Sequence, residues 1–467
     1  MINKTPVIFK QSIEGRIGFK IPESTTPKIP LNKFIDKKYL RKNKLKLPEL
    51  TEFQVVRHFT NLSIKNHHID KNFYPLGSCT MKYNPKINDY IASLPGFSLV
   101  HPNQPCESIQ GALSLYHDLE KILCDLTGMD RTSLQPSAGS QGELVGLLLM
   151  KKYHFVKKSK NKKYIIIPET AHGTNPASVI MSGYLVKQVK SNENGTVAID
   201  HLKELVDDET AGMMLTQPNT LGLFENEIER ICSIIHNVDG LMYMDGANLN
   251  ALVGIVKPAD MGFDIMHINL HKTFSTPHGG GGPGSGPVAV NHKLTDFLPS
   301  PMIDYNEKDD KFHFSLNENS IGHVHTFFGN YGILVRAYVY IKSLGVEGLR
   351  KNSQYAVLNA NYLKSLLEHK FLIPHSNGTL HEFVISAAEQ KKRGSKAIDL
   401  AKALLDYGFH APTIYFPINI EESIMIEPTE TESKQTLEDF ADIMIELDAR
   451  IELENEYLNN APYNTPV

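Results

Sequence analysis

Between Tyr164 and Ile268 the chain alternates short apolar runs with amphipathic stretches, and that alternation leaves few folds open. Tyr164–Pro168, Met213–Thr216, Leu241–Asn248 and Phe263–Ile268 are too short for typical helices and read as buried strands. Among them, Ala171–Ser178 ends in a helix start and Ile199–Asp207 is a short helix. Ile228, Ile231, Ile235 and Val238 recur at the spacing of a helix face. Strands joined through helices make crossover connections, so the expected class is α/β, with a mainly parallel sheet covered on both faces. In such sheets ligands collect beyond the carboxyl ends of the strands. His172, Asn219, Asp245 and Lys272 all fall at those ends.

The stretch His267–Pro287 is the most constrained of these ends. A short apolar strand runs into Lys272, flanked by His271 and Thr273, and then into a glycine-proline segment that sustains neither helix nor strand. A lysine at the end of a core strand is expected to be desolvated, which makes it a usable amine nucleophile. Asp245 precedes it by 27 residues (272 − 245), and Ala247 would point to the same side as Asp245. An acid at a pyridine nitrogen, a small residue flat against a ring and an amine beyond them are the parts that pyridoxal phosphate needs. His172 could cover the opposite ring face. Two rival readings fail on context. Gly282, Gly284 and Gly286 mimic a dinucleotide fingerprint, but Pro283 and Pro287 interrupt it and no helix follows. His267 and His271 are four apart, as metal ligands on a helix would be, but the segment reads as extended, so no metal is expected.

Upstream, Ile109, Leu113, Tyr116, Leu119, Leu123 and Leu126 line one face of a helix over Ser108–Thr127, stopped by Gly128. Gln135–Glu143 then opens a second helix with small and hydroxyl residues. Free N–H groups at such a start favour an anion, so the cofactor phosphate is expected at Ser137, Gly139, Ser140 and Gln141. Tyr74–Pro85 is a polar, aromatic loop read as an active-site wall, with Cys79 in it packed rather than nucleophilic. A helix with Phe53, Val56 and Phe59 on one face follows Thr51, after a Lys- and Pro-rich arm that is strongly basic over Lys37–Lys46. Beyond Ile321 the pattern becomes α+β, with helices over 328–369, Lys396–Tyr407 and Ser433–Leu447 and strands at His381–Ala387 and Ser423–Ile426. The expected division is 1–60 as arm and first helix, 61–325 as the large cofactor-binding domain and 326–467 as a smaller C-terminal α+β domain.

A net charge of −4 argues against a nucleic-acid partner, and no apolar run reaches the ~20 residues of a membrane helix. The four cysteines lack metal or redox spacing, which fits a reducing cytoplasm, and the first residues lack the apolar core of a signal peptide.

Several segments together resemble the glycine cleavage system P-protein family, in particular the pyridoxal-phosphate-bearing chains, subunit 2, of P-proteins split into two. They are Tyr74–Pro85, Ala171–Ser178, Pro218–Glu225, Asp245–Asn250, Leu270–Phe274 with Pro277–Gly284, Asp406–Thr413 and Glu427–Glu432. They run from about residue 50 to about residue 450 in the family's order. The turn at Gln135–Ser140 departs from the family's usual Asn-Ala-Gly-Ala, with Ser140 in place of the last Ala.

The resemblance implies the fold type I architecture of pyridoxal-phosphate-dependent transferases, with a large sheet of the seven-stranded kind. It implies that Lys272 carries the cofactor, Asp245 holds the pyridine nitrogen and His172 stacks on the ring. The cofactor set expected on this ground is Ser137, Gly139, Ser140, Gln141, His172, Thr174, Asn219, Thr220, Asp245, Ala247, Asn269 and Lys272, with His271 and His172 as proton-handling candidates. The implied reaction is decarboxylation of glycine with transfer of the aminomethyl group to the lipoyl group of H-protein. The implied assembly is an α2β2 heterotetramer with subunit 1, which the basic arm would wrap. The alternatives are another fold type I enzyme (aminotransferase, cysteine desulfurase or another decarboxylase) or a silent scaffold subunit. The former share the Asp and Lys but not Tyr74–Pro85 or Glu427–Glu432.

Overall fold

The computed structural model describes residues 5–159, 161–279 and 284–465. Lys160 of the basic loop and Gly280–Pro283 of the glycine-rich segment, Gly282 included, lie outside the described residues. Contacts group the chain into two units, Met1–Lys71 with Asn464–Val467, and Asn72–Tyr463.

In the first unit the expected helix forms as Glu52–Ser63, its start held by the Thr51 N–H donating to Gln54 Oε1 at 3.0 Å. Its apolar face stays largely uncovered. Phe53, Val56 and Phe59 remain 55, 58 and 56% exposed, and His58 is the buried residue of the helix. Helical spacing dictates which side chains share a face, not whether anything covers it.

The second unit is built on a sheet of seven strands: β1 (Arg131–Ser133), β2 (Tyr164–Pro168), β3 (Leu185–Val189), β4 (Thr210–Thr216), β5 (Leu241–Gly246), β6 (Ile265–Ile268) and β7 (Val288–Val290). Their order is β1-β7-β6-β5-β4-β2-β3, with β3, β2, β4, β5 and β6 parallel and β7 antiparallel to both neighbours. Both faces are buried, as the apolar runs require. Ile166, Met213, Leu215, Met242, Met244 and Met266 join one core, and Ile165, Ile167, Met214, Tyr243 and Ile265 join the other. Adjacent residues of a strand thus feed opposite cores, which is why these strands show no polar alternation. Each such side chain contributes roughly 1.5–3 kcal/mol by leaving water.

β1, β3 and β7 were not anticipated. β1 and β7 are three residues each, and β3 is an edge strand with Lys187 and Gln188 in its middle. The helix Gly139–Val156 lies close on the sheet because Gly142 faces it: a Cβ there would sit 2.8 Å from the Gly286 carbonyl and from His267 Cβ.

After the hairpin of β8 (Met302–Asn306) and β9 (Lys311–Ser315), the helix Tyr331–Leu367 starts at the N-cap Asn330. Gly345 interrupts it at φ 63°, so it divides into two helical halves within the helical region expected over 328–369. A three-stranded antiparallel sheet follows, β10 (Phe383–Ser386), β11 (Thr413–Ile414) and β12 (Ser423–Ile426), in the order β10-β12-β11. It has an apolar core of its own around Phe371, Phe383, Leu400, Ile424 and Phe440, into which Phe73 also packs. Among the described residues no helix is long and apolar enough to cross a membrane.

Candidate active site

Lys272 does not sit on an extended segment. β6 ends at Ile268, and Leu270–Thr273 form one helical turn, with the Lys272 and Thr273 N–H groups donating to the Asn269 carbonyl at 3.0 and 3.2 Å. That turn swings the lysine off the strand end, and its Nζ donates to the Ser78 carbonyl at 2.8 Å. The Tyr74–Pro85 loop therefore does form a wall here, and Cys79 lies within it beside the amine. Burial raises the Cys79 thiol, Lys272 opposes that, and Glu427 and Glu382 add to it, so the sulfur is held as a thiol.

Asp245 ends β5, 3% exposed. Its Oδ2 accepts from Asn175 Nδ2 at 3.0 Å, and its Oδ1 accepts from the Ala247 N–H at 2.9 Å. Burial by itself would raise this carboxyl. His267, the bonds from Asn175 and Ala247 and the charge of Lys272 outweigh it and hold Asp245 below the usual carboxylate range. Glu143, bonded by Thr174 Oγ1 at 2.8 Å and Ser178 Oγ at 2.9 Å, goes the other way, raised by burial and by Asp245. Of these two buried acids, Asp245 is the one whose charged form its surroundings favour.

His267 is the residue that sequence reasoning missed, having weighed it only as a metal ligand. Its Nε2 is 3.4 Å from Asp245 Oδ1, and its Nδ1 is 2.7 Å from the Tyr243 hydroxyl. Burial drives the Tyr243 phenol well above its ordinary value, so it stays protonated beside His267. The available signal was strand register, since β5 and β6 pair Asp245 directly with His267.

A second missed residue is Lys82, 3% exposed. Its ammonium donates to Glu430 Oε1 at 2.7 Å, the Thr273 carbonyl at 2.8 Å, Asn250 Oδ1 at 2.9 Å and the Tyr340 hydroxyl at 3.3 Å. One side chain thus ties together the loop before Pro85, the segment after Asp245, the lysine turn and Glu427–Glu432. Burial would lower this ammonium, but Glu430 and Tyr340 more than offset it and raise it.

At the start of the helix Gly139–Val156, the first-turn N–H groups have no acceptor within the helix. Gln141 Oε1 instead takes the Ser137 N–H and hydroxyl at 2.7 and 2.8 Å, and Asn330 Nδ2 donates to the Ser137 and Gly284 carbonyls at 3.1 and 2.7 Å. Gln141 thus shapes the turn with its side chain, while Ser140 is exposed. Asn269 backs onto Gly139, where a Cβ would lie 2.7 Å from its amide, and its Oδ1 is buried without a partner.

The remaining expected residues are placed as follows. His172 is exposed, near Thr174 Oγ1 (3.2 Å) and edge-on to Phe416 (5.5 Å). Asn219 is occupied by its own loop, bonding the Gly195 carbonyl and the Leu221 and Leu223 N–H groups. Thr220 donates to the Thr170 carbonyl at 2.6 Å. His271 accepts from the Ser285 N–H at 3.3 Å, and burial, with His278 and Lys272 nearby, lowers it to about 3, so it is neutral near pH 7. Arg336, unassigned by sequence, is paired with Asp89 at 2.6 Å. The donor set matches pyridoxal phosphate: a buried, ionised carboxylate for a pyridinium, an amine near it and a helix start for a phosphate.

Residues 16–317 match the family model described as glycine cleavage system P-protein, and residues 352–463 match glycine dehydrogenase, C-terminal domain. A probable glycine dehydrogenase (decarboxylating) subunit 2 of Chloroherpeton thalassium is 52% identical over 465 residues, 99% of this chain and 94% of that one. The protein of the same description from Caldanaerobacter subterraneus is 51% identical over 99% of this chain and 95% of its own. Among solved structures, an inhibitor-bound glycine decarboxylase (P-protein) of the glycine cleavage system superposes with a TM-score of 0.76 at 19% identity, covering 89% of this chain and 94% of its own. A cysteine desulfurase from Thermococcus onnurineus does so at 0.63 and 14%, covering 81% and 95%. The fold is that of the fold type I pyridoxal phosphate enzymes.

Proposed function

Since the chain belongs to the glycine cleavage system P-protein family, we propose that Lys272 is its cofactor lysine and that glycine loses its carboxylate at the Asp245–Lys272 site. The activity is pyridoxal-phosphate-dependent glycine dehydrogenation (decarboxylating), and as a subunit-2 chain it works with a partner subunit. The observation that supports the site most is the buried Asp245 carboxylate near the carboxyl end of β5, bonded by Asn175 and the Ala247 N–H, with Lys272 on the turn that follows the neighbouring β6.

Lys272 would hold the aldehyde carbon, Asp245 the pyridine nitrogen, and Ala247 and His172 the two ring faces. Ser137, Gly139, Ser140 and Gln141 would hold the phosphate with the first-turn N–H groups. Thr174, Asn219, Thr220 and Asn269 complete the set, the middle two by fixing the loop after β4. Bound there, pyridoxal phosphate supplies an electron sink for the pair left behind when the bond to the carboxylate breaks. Asp245 keeps that sink effective by staying negative, and the Tyr243–His267 chain keeps Asp245 in place. His271, lowered to about 3, is neutral near pH 7 and a weak base there, and His172 is the more exposed of the two proton-handling candidates. The Ser78–Thr80 turn lies against the amine, which donates to the Ser78 carbonyl.

The aminomethyl group then passes to the lipoyl group of H-protein, and subunit 1 completes an α2β2 heterotetramer in the cytoplasm. This reading also keeps the division near residue 325, supported by the separate core around β10, β11 and β12. A visible spectrum of the purified chain with added cofactor, before and after borohydride and beside Lys272→Ala, tests it. Glycine, lipoylated H-protein and subunit 1 are then added while exchange of labelled bicarbonate is followed. A band that is lost in Lys272→Ala, with exchange requiring H-protein, is the expected result. A band without exchange in any combination refutes the glycine reading.

A further inference from the structure

Two buried acids, Glu382 and Glu427, act on Lys272 from the three-stranded sheet. β10 and β12 are antiparallel with Phe383 opposite Ile426, so one step further along the ladder Glu382 stands opposite Glu427. Residues directly opposite share a face of the sheet, and like charges there repel. Both carboxyls are buried, at 0% and 1% exposure. Each accepts a backbone N–H from the same turn, Glu382 Oε2 from Ser78 at 2.8 Å and Glu427 Oε2 from Thr80 at 2.7 Å. That turn is strained: Ser78 and Thr80, neither a glycine, sit at φ 64° and 47°. Gly77 is pressed so closely on Met425 of β12 that no side chain fits there. The carbonyl between the two N–H groups, that of Ser78, is the one that receives the Lys272 amine.

The third member is His381, fully buried, with neither ring nitrogen hydrogen-bonded, and 3.9 Å from Glu382 Oε1 and from Glu427 Oε1. At that distance and so enclosed it is no counter-ion: burial, with Lys272 nearby, lowers it to about 3. The other groups acting on the pair are Lys272, Glu430 and the Cys79 thiol. One ammonium therefore faces two buried carboxyls, since Glu430 is taken by Lys82.

We propose that Glu382 and Glu427 share a single proton and act as one positioning unit, which clamps the strained Ser78–Thr80 turn and presents one negative charge to Lys272. Two buried carboxyls with oxygens within 4.8 Å of each other do not both ionise against one cation. The pair thus holds the turn through two N–H bonds while matching the charge of the lysine one for one. Burial and mutual repulsion raise Glu382 well above the ordinary range, and Glu427 lies raised at about 7, in keeping with a proton retained between them.

This inference rests on Lys272 being the cofactor lysine, and the test separates the two. Wild type, Glu382→Gln, Glu427→Gln and the double variant are loaded with pyridoxal phosphate, and the pH midpoint of the visible band is measured. Glutamine still accepts the turn's N–H groups but carries neither charge nor exchangeable acid proton. Each single variant keeps the wild-type midpoint, because one negative charge remains. The double variant moves it down by about 1 unit or more. A purely structural role would alter stability and leave the midpoint in place. Downward shifts in both single variants, or an unmoved midpoint in the double, overturn the proposal. If the double variant fails to fold, the infrared spectrum decides: a protonated-carboxyl band present in the wild type at neutral pH and lost in each single variant supports the shared proton, and a wild type without that band overturns it. Stoichiometric metal in the purified chain, held by His381, Glu382 and Glu427, would overturn it as well. A wild-type chain that forms no band with added cofactor would remove the Lys272 reading and this inference with it.

Discussion

Replacing Lys82 with methionine removes the cation at the centre of four converging segments, and the structure sets the size of the effect. The ammonium and the Glu430 carboxylate are 1% and 4% exposed and 2.7 Å apart. Methionine fills most of the lysine stem, so little packing is lost. What remains is a buried Glu430 carboxylate with, among the described residues, Asn250 Nδ2 at 3.0 Å and the Tyr340 hydroxyl at 3.4 Å as side-chain donors. Leaving one member of a buried ion pair alone costs about 3–5 kcal/mol, a large part of the ~5–15 kcal/mol that keeps a typical protein folded. The Thr273 carbonyl and Asn250 Oδ1 lose a donor as well, and both neighbour cofactor segments. Lys82→Met is therefore expected to lower the urea midpoint and to weaken pyridoxal phosphate retention together. The informative comparison is the double variant Lys82→Met/Glu430→Gln, which removes both charges. It should recover at least half of the loss, because a neutral pair escapes the desolvation cost. A double variant as unstable as the two singles added together would refute the idea that an unpaired buried charge is the source.

Other outcomes follow from the same geometry. His267→Ala strips Asp245 of its ring neighbour and should cost about 1–3 kcal/mol in thermal unfolding, together with weaker cofactor binding measured by equilibrium dialysis. Gly142→Ala places a methyl 2.8 Å from the Gly286 carbonyl and should destabilise by about 1–3 kcal/mol, read by urea unfolding; an unchanged midpoint would mean that the helix moves freely off the sheet. Asp245→Asn should keep the fold by circular dichroism while abolishing bicarbonate exchange, since a neutral amide cannot hold a pyridinium charge. Glu427 is raised from an ordinary 4.5 to about 7, so the folded chain binds its proton more tightly than the unfolded chain does. Its stabilisation is complete below about pH 4.5 and is lost as pH rises through about 7. Glu427→Gln should flatten that fall in a series of urea midpoints between those pH values, and an equally steep fall in the variant would count against a raised Glu427.

The strands that carry Asp245 and precede Lys272 were legible because both their faces are buried, which leaves an unbroken apolar run bounded by turns. β3 was not, since an edge strand with Lys187 and Gln188 offers neither alternation nor a full apolar run. The lysine turn was misjudged for a local reason: Leu270–Thr273 is a single helical turn, too short to show a period, between a strand and a glycine-rich stretch that both read as extended. The first helix shows the converse limit, its period plain and its apolar face left exposed. The site divides along the same line. Asp245, Lys272 and the small-residue turn at Ser137 announce themselves by residue type at a strand or helix end. His267, Lys82, Glu382 and Glu427 do not, because what makes each important is a partner 22 to 348 residues away (267 − 245; 430 − 82). Those distances are closed by register between strands and by chain crossings, neither of which leaves a local pattern. Glu382 and Glu427 follow from one registered pair, Phe383 and Ile426, so knowing a single rung of that ladder would have been enough to place two acids against each other beside the lysine.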